Sequence, residues 1–371
     1  MTDRKCRWGI LSTATIARKN WQAIRNTGNA TLIAVASRDV ERSQRFIDEC
    51  QSQACYDPAP QAVGSYEELL GRDDIDAVYL PLPTGVRAEW VMRAAAAGKH
   101  IMCEKPCGVN AGQVSELLSV CAENDVQFMD GVMFMHSARL AKLREVLDDG
   151  KSIGDIKRIT MQFSFRAPDE FFRQNIRASS SLEPYGCLGD LGWYTIRFAQ
   201  WAMRYEMPVS VTGRLLDSVE SFDGGEPVPT EFSGELLFAG GASCGFYCSF
   251  MTENQQLASV SGTQGHLIVS DYVLPWSGGE LTFDIFHPEF RLDGCDFTMN
   301  PGRQTIAVAE HSQSHASAQE TNLFRTFSDL VLSGTRDLAW GRISLQTQQI
   351  VDACRRSARE GSEPVAPDVA S

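Results

Sequence analysis

No Cys-x-x-Cys occurs among the eleven cysteines of this 371-residue chain, which removes the paired-thiol spacings of zinc sites and thioredoxin-like motifs. Cys103 and Cys107 flank a Glu-Lys-Pro turn, and Cys244 and Cys248 stand at strand-like spacing. An odd count scattered through mostly apolar surroundings reads as reduced thiols in a cytoplasm, with no metal site expected. His311 and His315 are four apart in a Ser/Gln-rich stretch that supplies no third ligand. Clustered Lys/Arg is also lacking, and the formal charge is −13. That balance excludes nucleic acid and anionic membrane surfaces as partners, since both need basic blocks. No apolar run reaches the roughly 18 residues of a membrane helix. The start, Met-Thr-Asp-Arg-Lys-Cys-Arg, lacks the apolar stretch of a secretory leader. The expectation is a soluble, cytoplasmic chain. Internal repeats and low-complexity linkers are absent too.

What is there is ordinary globular composition, 43% hydrophobic and 22% charged. A chain this long exceeds one ordinary core and implies two domains. Through the first 136 residues, apolar strands alternate with amphipathic helices. Strand-like runs lie at Trp8–Leu11, Thr31–Ala36, Ile75–Leu80, His100–Cys103 and Val126–Met133. Helical runs lie between them at Ile16–Ile24, Val40–Cys50, Tyr66–Leu70, Glu89–Ala97 and Val114–Ala122. That alternation predicts an α/β fold with a doubly wound parallel sheet, a Rossmann-type dinucleotide-binding domain over 1–136.

In such a sheet a dinucleotide lies at the turn after the first strand. The glycine fingerprint of that turn is present only in degraded form, as Ser12-Thr13-Ala14-Thr15-Ile16-Ala17. Small residues at all three glycine positions preserve close backbone approach to a pyrophosphate, and the helix start offers N–H groups. After the second strand, where an acidic residue normally accepts from a ribose 2′-hydroxyl, the chain reads Ser37-Arg38-Asp39. A hydroxyl followed by a guanidinium suits a 2′-phosphate, so NADP is favoured over NAD. Arg38 is also placed to cover the adenine. Asp39 complicates the match, and fits equally as the N-cap of the next helix.

The phrase carrying most chemistry is Gly189-Asp190-Leu191-Gly192-Trp193-Tyr194. Four residues apart, Asp190 and Tyr194 share a helix face. With Lys105 of Cys103-Glu104-Lys105-Pro106 they form a proton-handling trio: carboxylate, phenol and ammonium. Alone, the eight residues Gly189–Ile196 also read as an amphipathic helix with a surface aspartate and a core tyrosine.

Together, the Ser12–Ala17 turn, Ala36-Ser37-Arg38-Asp39, Leu80-Pro81-Leu82-Pro83-Thr84, Glu104-Lys105-Pro106 and Asp190-x-Gly-x-Tyr194 resemble the Gfo/Idh/MocA oxidoreductases. The likeness is greatest to the branch with NADP-dependent D-xylose dehydrogenases, dimeric dihydrodiol dehydrogenases and uncharacterised plant and bacterial relatives. It covers nearly the whole chain in order. It implies a second, α+β domain over 137–371 built on a large open, mostly antiparallel sheet, used for substrate binding and dimerisation. Strand-like segments such as Ile156–Phe165, Val209–Leu216 and Gly245–Phe250 agree, as do closing helices at Glu320–Leu332 and Ile343–Ala358. By the same resemblance Leu82, Pro83, Thr84 and Glu104 join Ser12–Ala17, Ser37, Arg38 and Lys105 at the cofactor.

The chain departs from the family pattern at several points. Ser12 and Ala14 replace fingerprint glycines, and Arg87 stands where histidine is frequent. Tyr194 replaces a frequent histidine, as in the sugar and dihydrodiol branch. Phe134-Met135-His136 replaces a segment with arginine. His136 and Arg177 are candidates for substrate contacts, and His136 reads equally well as a histidine near a helix start with no ligand. The expected function is hydride transfer between nicotinamide and a carbinol carbon of a pyranose or related cyclic polyol, a small-molecule substrate, by a homo-oligomer, with a dimer favoured. A trans-dihydrodiol dehydrogenase and a keto-sugar reductase are same-fold alternatives. A non-catalytic NADP(H) sensor is the alternative of another class.

Overall fold

The computed structural model describes residues 4–368. They form two compact units. The first comprises the chain through His136 together with 181–184 and 313–348; the second comprises 137–180, 185–312 and the chain from Gln349 onward.

The first unit is built on six parallel strands, β1 (Cys6–Leu11), β2 (Ala30–Ala36), β3 (Gln61–Val63), β4 (Ala77–Leu80), β5 (His100–Cys103) and β6 (Phe128–Asp130), in the order β3-β2-β1-β4-β5-β6. Strand order reverses at β1, the switch point where an open α/β sheet binds ligands beyond its carboxyl edge. The crossover helices are α1 (Thr15–Asn26), α2 (Val40–Gln51), α3 (Tyr66–Leu70), α4 (Thr84–Ala96) and α5 (Ala111–Glu123). Several start at side-chain caps: Asp39 accepts from the Arg42 amide at 2.6 Å, Ser65 from Glu68 at 3.1 Å and Asn110 from Gln113 at 2.8 Å. The run read as a strand over Val126–Met133 is shorter, ending at Asp130, because a 3₁₀ turn takes over at Met133–His136.

In the second unit, helix α6 (Ala138–Asp148) leads to β7 (Ile156–Ser164). After it come α7 (Asp169–Gln174), a 3₁₀ turn (Ile176–Ala178), a π turn (Leu188–Gly192) and α8 (Trp193–Ala202). Strands β8 (Ser210–Val219), β9 (Val228–Leu237), β10 (Ser243–Ser249), β11 (Gln255–Gly262), β12 (His266–Val269), β13 (Leu281–Phe286), β14 (Glu289–Asp293), β15 (Asp296–Asn300) and β16 (Arg303–Val308) follow. Eight of these strands make one sheet, ordered β16-β13-β12-β11-β7-β10-β9-β8, antiparallel except where β7 and β10 run parallel. Alternation sets its faces: Ile159, Met161 and Phe163 of β7, with Cys244, Phe246 and Cys248 of β10, are buried, while of the intervening residues Thr160 is exposed and Tyr247 half-buried. Every residue of α8 is buried. Strands β14 and β15 form a separate hairpin.

The last two helices are α9 (Gln319–Ser333) and α10 (Ala339–Arg359). Helix α9 belongs to the first unit's core. Phe324 meets Trp8 edge-on with centroids 5.0 Å apart, and the Trp8 indole N–H donates to Ser328 Oγ at 3.0 Å.

Candidate active site

At the carboxyl edge of β1 the backbone takes a conformation that glycine normally supplies. Ser12 has φ +134°, so a non-glycine residue is held in the region L side chains rarely enter. Its hydroxyl accepts from the Ala14 amide at 3.1 Å, giving the side chain a local role a glycine could not fill. Helix α1 then begins with neither a side-chain cap nor an acidic residue in its first turn. The amides there suit an anion such as a pyrophosphate.

Beside this turn the structure gathers groups that the sequence reading left out. Arg42 Nε donates to Thr13 Oγ1 at 2.9 Å. Burial pushes the Tyr66 phenol up, while the Ser12 hydroxyl and then the Arg38 and Arg42 guanidiniums pull it down, so the phenol and both cations lie at the Ser12 turn. Arg38 immediately precedes the N-cap Asp39 and Arg42 lies in the first turn of α2, so the two guanidiniums flank the start of one helix. Asp39 is the N-cap of α2, the second of its two readings. Ser37 is buried, and its hydroxyl donates to the Asp39 carbonyl at 2.7 Å and receives from Ser43 Oγ at 3.0 Å. The exposed cationic pair, Arg38 and Arg42, is therefore the part of this corner best suited to a phosphate monoester.

The turns after β4 and β5 are tied together by one buried arginine. Arg87 Nε donates to the Leu82 carbonyl at 2.9 Å, and the guanidinium also donates to the carbonyl of Pro106. Glu104 accepts from the Tyr79 hydroxyl at 2.6 Å and from the Lys105 amide at 3.2 Å, which fixes the backbone from which Lys105 projects. Burial, then Glu104, drives the Tyr79 phenol well above its ordinary range, so it stays protonated and donates. Thr84 is claimed from afar: Glu183 Oε1 accepts from its amide at 3.0 Å and Oε2 from its hydroxyl at 2.7 Å. Gly85 is required here, because a Cβ would come 1.8 Å from the Ser181 carbonyl oxygen. His136 packs its ring on Trp340, centroids 4.7 Å apart, and its carbonyl accepts from Asn322.

Removal of the Arg87 tie has a measurable cost. Arg87→Ala strands buried carbonyls at Leu82 and Pro106 and should lower unfolding stability by about 3 kcal/mol. Arg93→Ala, at an exposed arginine paired with Glu67 and Glu89, should cost under about 1 kcal/mol. Thermal unfolding of both variants checks this, and equal losses would reject the assignment.

In the second unit, Asp190 lies in the π turn and Tyr194 in the first turn of α8. The i+4 pair thus straddles a helix irregularity of a kind frequent at functional sites. Arg177 Nε stands 2.6 Å from Asp190 Oδ2. Tyr194 is 6% exposed, and its ring meets Phe163 edge-on at 5.6 Å. Gly186 has φ +48°, and a Cβ there would lie 2.2 Å from the Pro229 carbonyl oxygen. That glycine lets β9 approach the chain entering the π turn.

Residues 6–132 match the model of the oxidoreductase family with an NAD-binding Rossmann fold, and residues 140–268 match the GFO/IDH/MocA C-terminal domain. A D-xylose 1-dehydrogenase (NADP(+)) 2 of Haloferax volcanii is 32% identical over 278 residues, spanning 74% of this chain and 80% of its own. The chain belongs to the Gfo/Idh/MocA family. A trans-1,2-dihydrobenzene-1,2-diol dehydrogenase of Bos taurus is 28% identical over 312 residues, covering 82% of this chain and 86% of that enzyme. Among solved structures, a 3-ketoreductase from Actinomadura kijaniata in complex with NADP and TDP-benzene superimposes with a TM-score of 0.79 at 25% identity, covering 95% of this chain and 98% of its own. As a Gfo/Idh/MocA member the protein is a sugar-type oxidoreductase with an NAD(P)-binding Rossmann unit. Among the described residues no helix is long and apolar enough to cross a membrane.

Proposed function

We propose that the protein is an NADP-dependent dehydrogenase that moves a hydride between nicotinamide and a carbinol carbon of a pyranose or related cyclic polyol. The observation that carries this reading is the ion pair between Arg177, on the 3₁₀ turn after α7, and Asp190, on the π turn that leads into Tyr194. It sets a hydroxyl-binding carboxylate four residues ahead of a proton-transferring phenol. Ser12, Thr13, Ala14, Thr15, Ile16 and Ala17 would cradle the pyrophosphate, with Leu82, Pro83, Thr84 and Glu104 shaping the neighbouring turns. Arg38 and Arg42 would hold the 2′-phosphate, with Ser37 shaping their corner.

Bound nicotinamide supplies the hydride acceptor or donor. The protein's share is proton handling and orientation. A free phenol, with a pKa near 10, is a poor base at neutral pH. A cation near it favours phenolate, and in this reading Lys105 is that cation, while also holding the nicotinamide ribose. Tyr194 removes the hydroxyl proton during oxidation and returns it during reduction. Asp190 accepts from a substrate hydroxyl and fixes its angle. The assignment of a cytoplasmic homodimer belongs to the same proposal; a second copy would cover the partly open sheet face bearing Thr160 and Tyr247.

A second reading, a trans-1,2-dihydrodiol dehydrogenase or keto-sugar reductase, is favoured by the relatives that carry those names. A screen of pentoses, hexoses, cyclic diols and keto-sugars, followed by nicotinamide absorbance with each cofactor, separates the two. Fastest turnover of a pyranose with NADP supports the first reading. Turnover confined to dihydrodiols or keto-sugars replaces it with the second.

A further inference from the structure

We infer that Glu183 is a positioning residue for Lys105: acting through Thr84 and Arg87, its carboxylate sets the turn after β5 from which the lysine projects. This rests on the dehydrogenase reading above, in which Lys105 is the cation beside Tyr194. Helix α4 begins at Pro83 with no side-chain cap of its own and no acidic residue in its first turn. Both roles fall to Glu183, 99 residues away: one oxygen accepts from the Thr84 amide at 3.0 Å and the other from the Thr84 hydroxyl at 2.7 Å. A carboxylate there gains from the unpaired amides and from the helix dipole. A serine or aspartate in place of Pro83 would cap the helix as well. A cap brought from so far along the chain does what a local one cannot, because it ties the helix start to a second segment.

The tie continues to the lysine turn. The Thr84 hydroxyl gives its one proton to Glu183, so toward Arg87 it is the acceptor, 3.4 Å from Nη1. The same nitrogen donates to the carbonyl of Pro106, the residue after Lys105. Carboxylate, hydroxyl, guanidinium and carbonyl form one chain in which each bond polarises the next. Thr84 and Arg87 are both buried, so the chain runs beneath the surface. Glu183 has little room to move, since the Leu182 carbonyl accepts from the Gly85 amide at 2.8 Å and Pro184 stiffens the backbone on the other side. Before Lys105, Glu104 accepts from the lysine amide at 3.2 Å. The lysine is therefore pinned on both flanks, once by Glu104 and once, through two buried groups, by Glu183. Such fixing of a half-buried lysine makes sense where the place of its ammonium matters.

The test uses the full chain and compares Glu183→Gln and Thr84→Val with Thr84→Ser. Glutamine keeps one accepting oxygen but turns a donor toward Thr84, valine removes the hydroxyl, and serine keeps it. Trace acetylation of the cofactor-free protein with acetic anhydride, followed by mass spectrometry, reads the reactivity of Lys105 against that of exposed Lys157. An amine reacts as its free base, so a new environment worth half a pKa unit moves that ratio about threefold, the change expected in Glu183→Gln and Thr84→Val. Turnover of the two should fall about 10- to 10²-fold, the scale of a small misplacement near the chemistry, while KM and NADPH affinity stay within about threefold. Thr84→Ser should resemble the unmodified protein in both readings. Fluorescence titration with NADPH certifies each fold, and Thr84→Val carries the comparison if Glu183→Gln does not fold. A helix cap and nothing more would lower the unfolding temperature alone; an unmoved ratio or normal turnover in the folded variants overturns the inference. If no substrate is turned over, the dehydrogenase reading fails on its own. The acetylation ratio then decides this inference: a shift that Thr84→Ser does not share upholds it, and an unmoved ratio overturns it.

Discussion

Tyr194→Phe is expected to lower turnover by about 10²–10⁴-fold, the range that general acid–base catalysis contributes. The substitution removes one hydroxyl and keeps the ring that meets Phe163 at 5.6 Å, so the packing of α8 should survive. Tyr272 is no substitute base: burial, and after it the nearness of Tyr194, pushes its phenol well above the ordinary range. In the proposed mechanism Lys105→Met should cost at least as much, because Lys105 is there assigned both the charge that favours phenolate and a hold on the ribose. Its backbone should stay in place, since Glu104 holds the Lys105 amide and Tyr79 holds Glu104. Asp190→Asn should raise KM more than it weakens NADP binding. Single-turnover rates with substrate deuterated at the carbinol carbon show whether chemistry limits. Near-normal turnover of Tyr194→Phe under that condition would make the tyrosine structural and the mechanism wrong.

Much of this architecture is written locally. Alternating apolar runs and helical periods suffice to place β1, β2, β4 and β5 and the helices between them, because each burial pattern is a property of its own segment. Strand β3 escapes that logic: three residues, only Val63 of them buried, carry too little pattern. Helix α9 was legible as a helix, but its packing on Trp8 joins residues over three hundred positions apart. No period within either segment reports it. The site divides the same way. Asp190, Tyr194 and Lys105 stand in compact phrases, where they are legible as candidates. Arg42 needed the contact with Thr13, and Glu183 needed the cap it supplies to Thr84, a partner 99 residues away. The π turn was invisible because Leu188–Gly192 satisfies helical spacing as well as a π turn does. Ser37 shows the converse: its type suits a phosphate, yet its hydroxyl is spent on the start of α2.

Cofactor choice should turn on the two guanidiniums rather than on that hydroxyl. The unmodified protein is expected to bind NADPH about 10²-fold more tightly than NADH, as two charge-assisted contacts to a 2′-phosphate would give. Arg38→Asp should reverse the preference, since the new carboxylate repels a phosphate and accepts from a ribose 2′-hydroxyl. Arg42→Ala should weaken NADPH about tenfold and NADH far less, because NADH carries no 2′-phosphate for the guanidinium to engage. Rising salt should narrow the NADPH advantage of the unmodified protein, as screening weakens exposed ion contacts, and should not affect NADH. Ser37→Ala should shift affinity less than either arginine variant, because Ser43 and Asp39 already engage that hydroxyl. Fluorescence titrations of NADPH and NADH across these four proteins measure every term without needing a substrate. Equal affinities in the unmodified protein would remove the 2′-phosphate from this corner, and a larger loss in Ser37→Ala than in Arg42→Ala would return the contact to the serine.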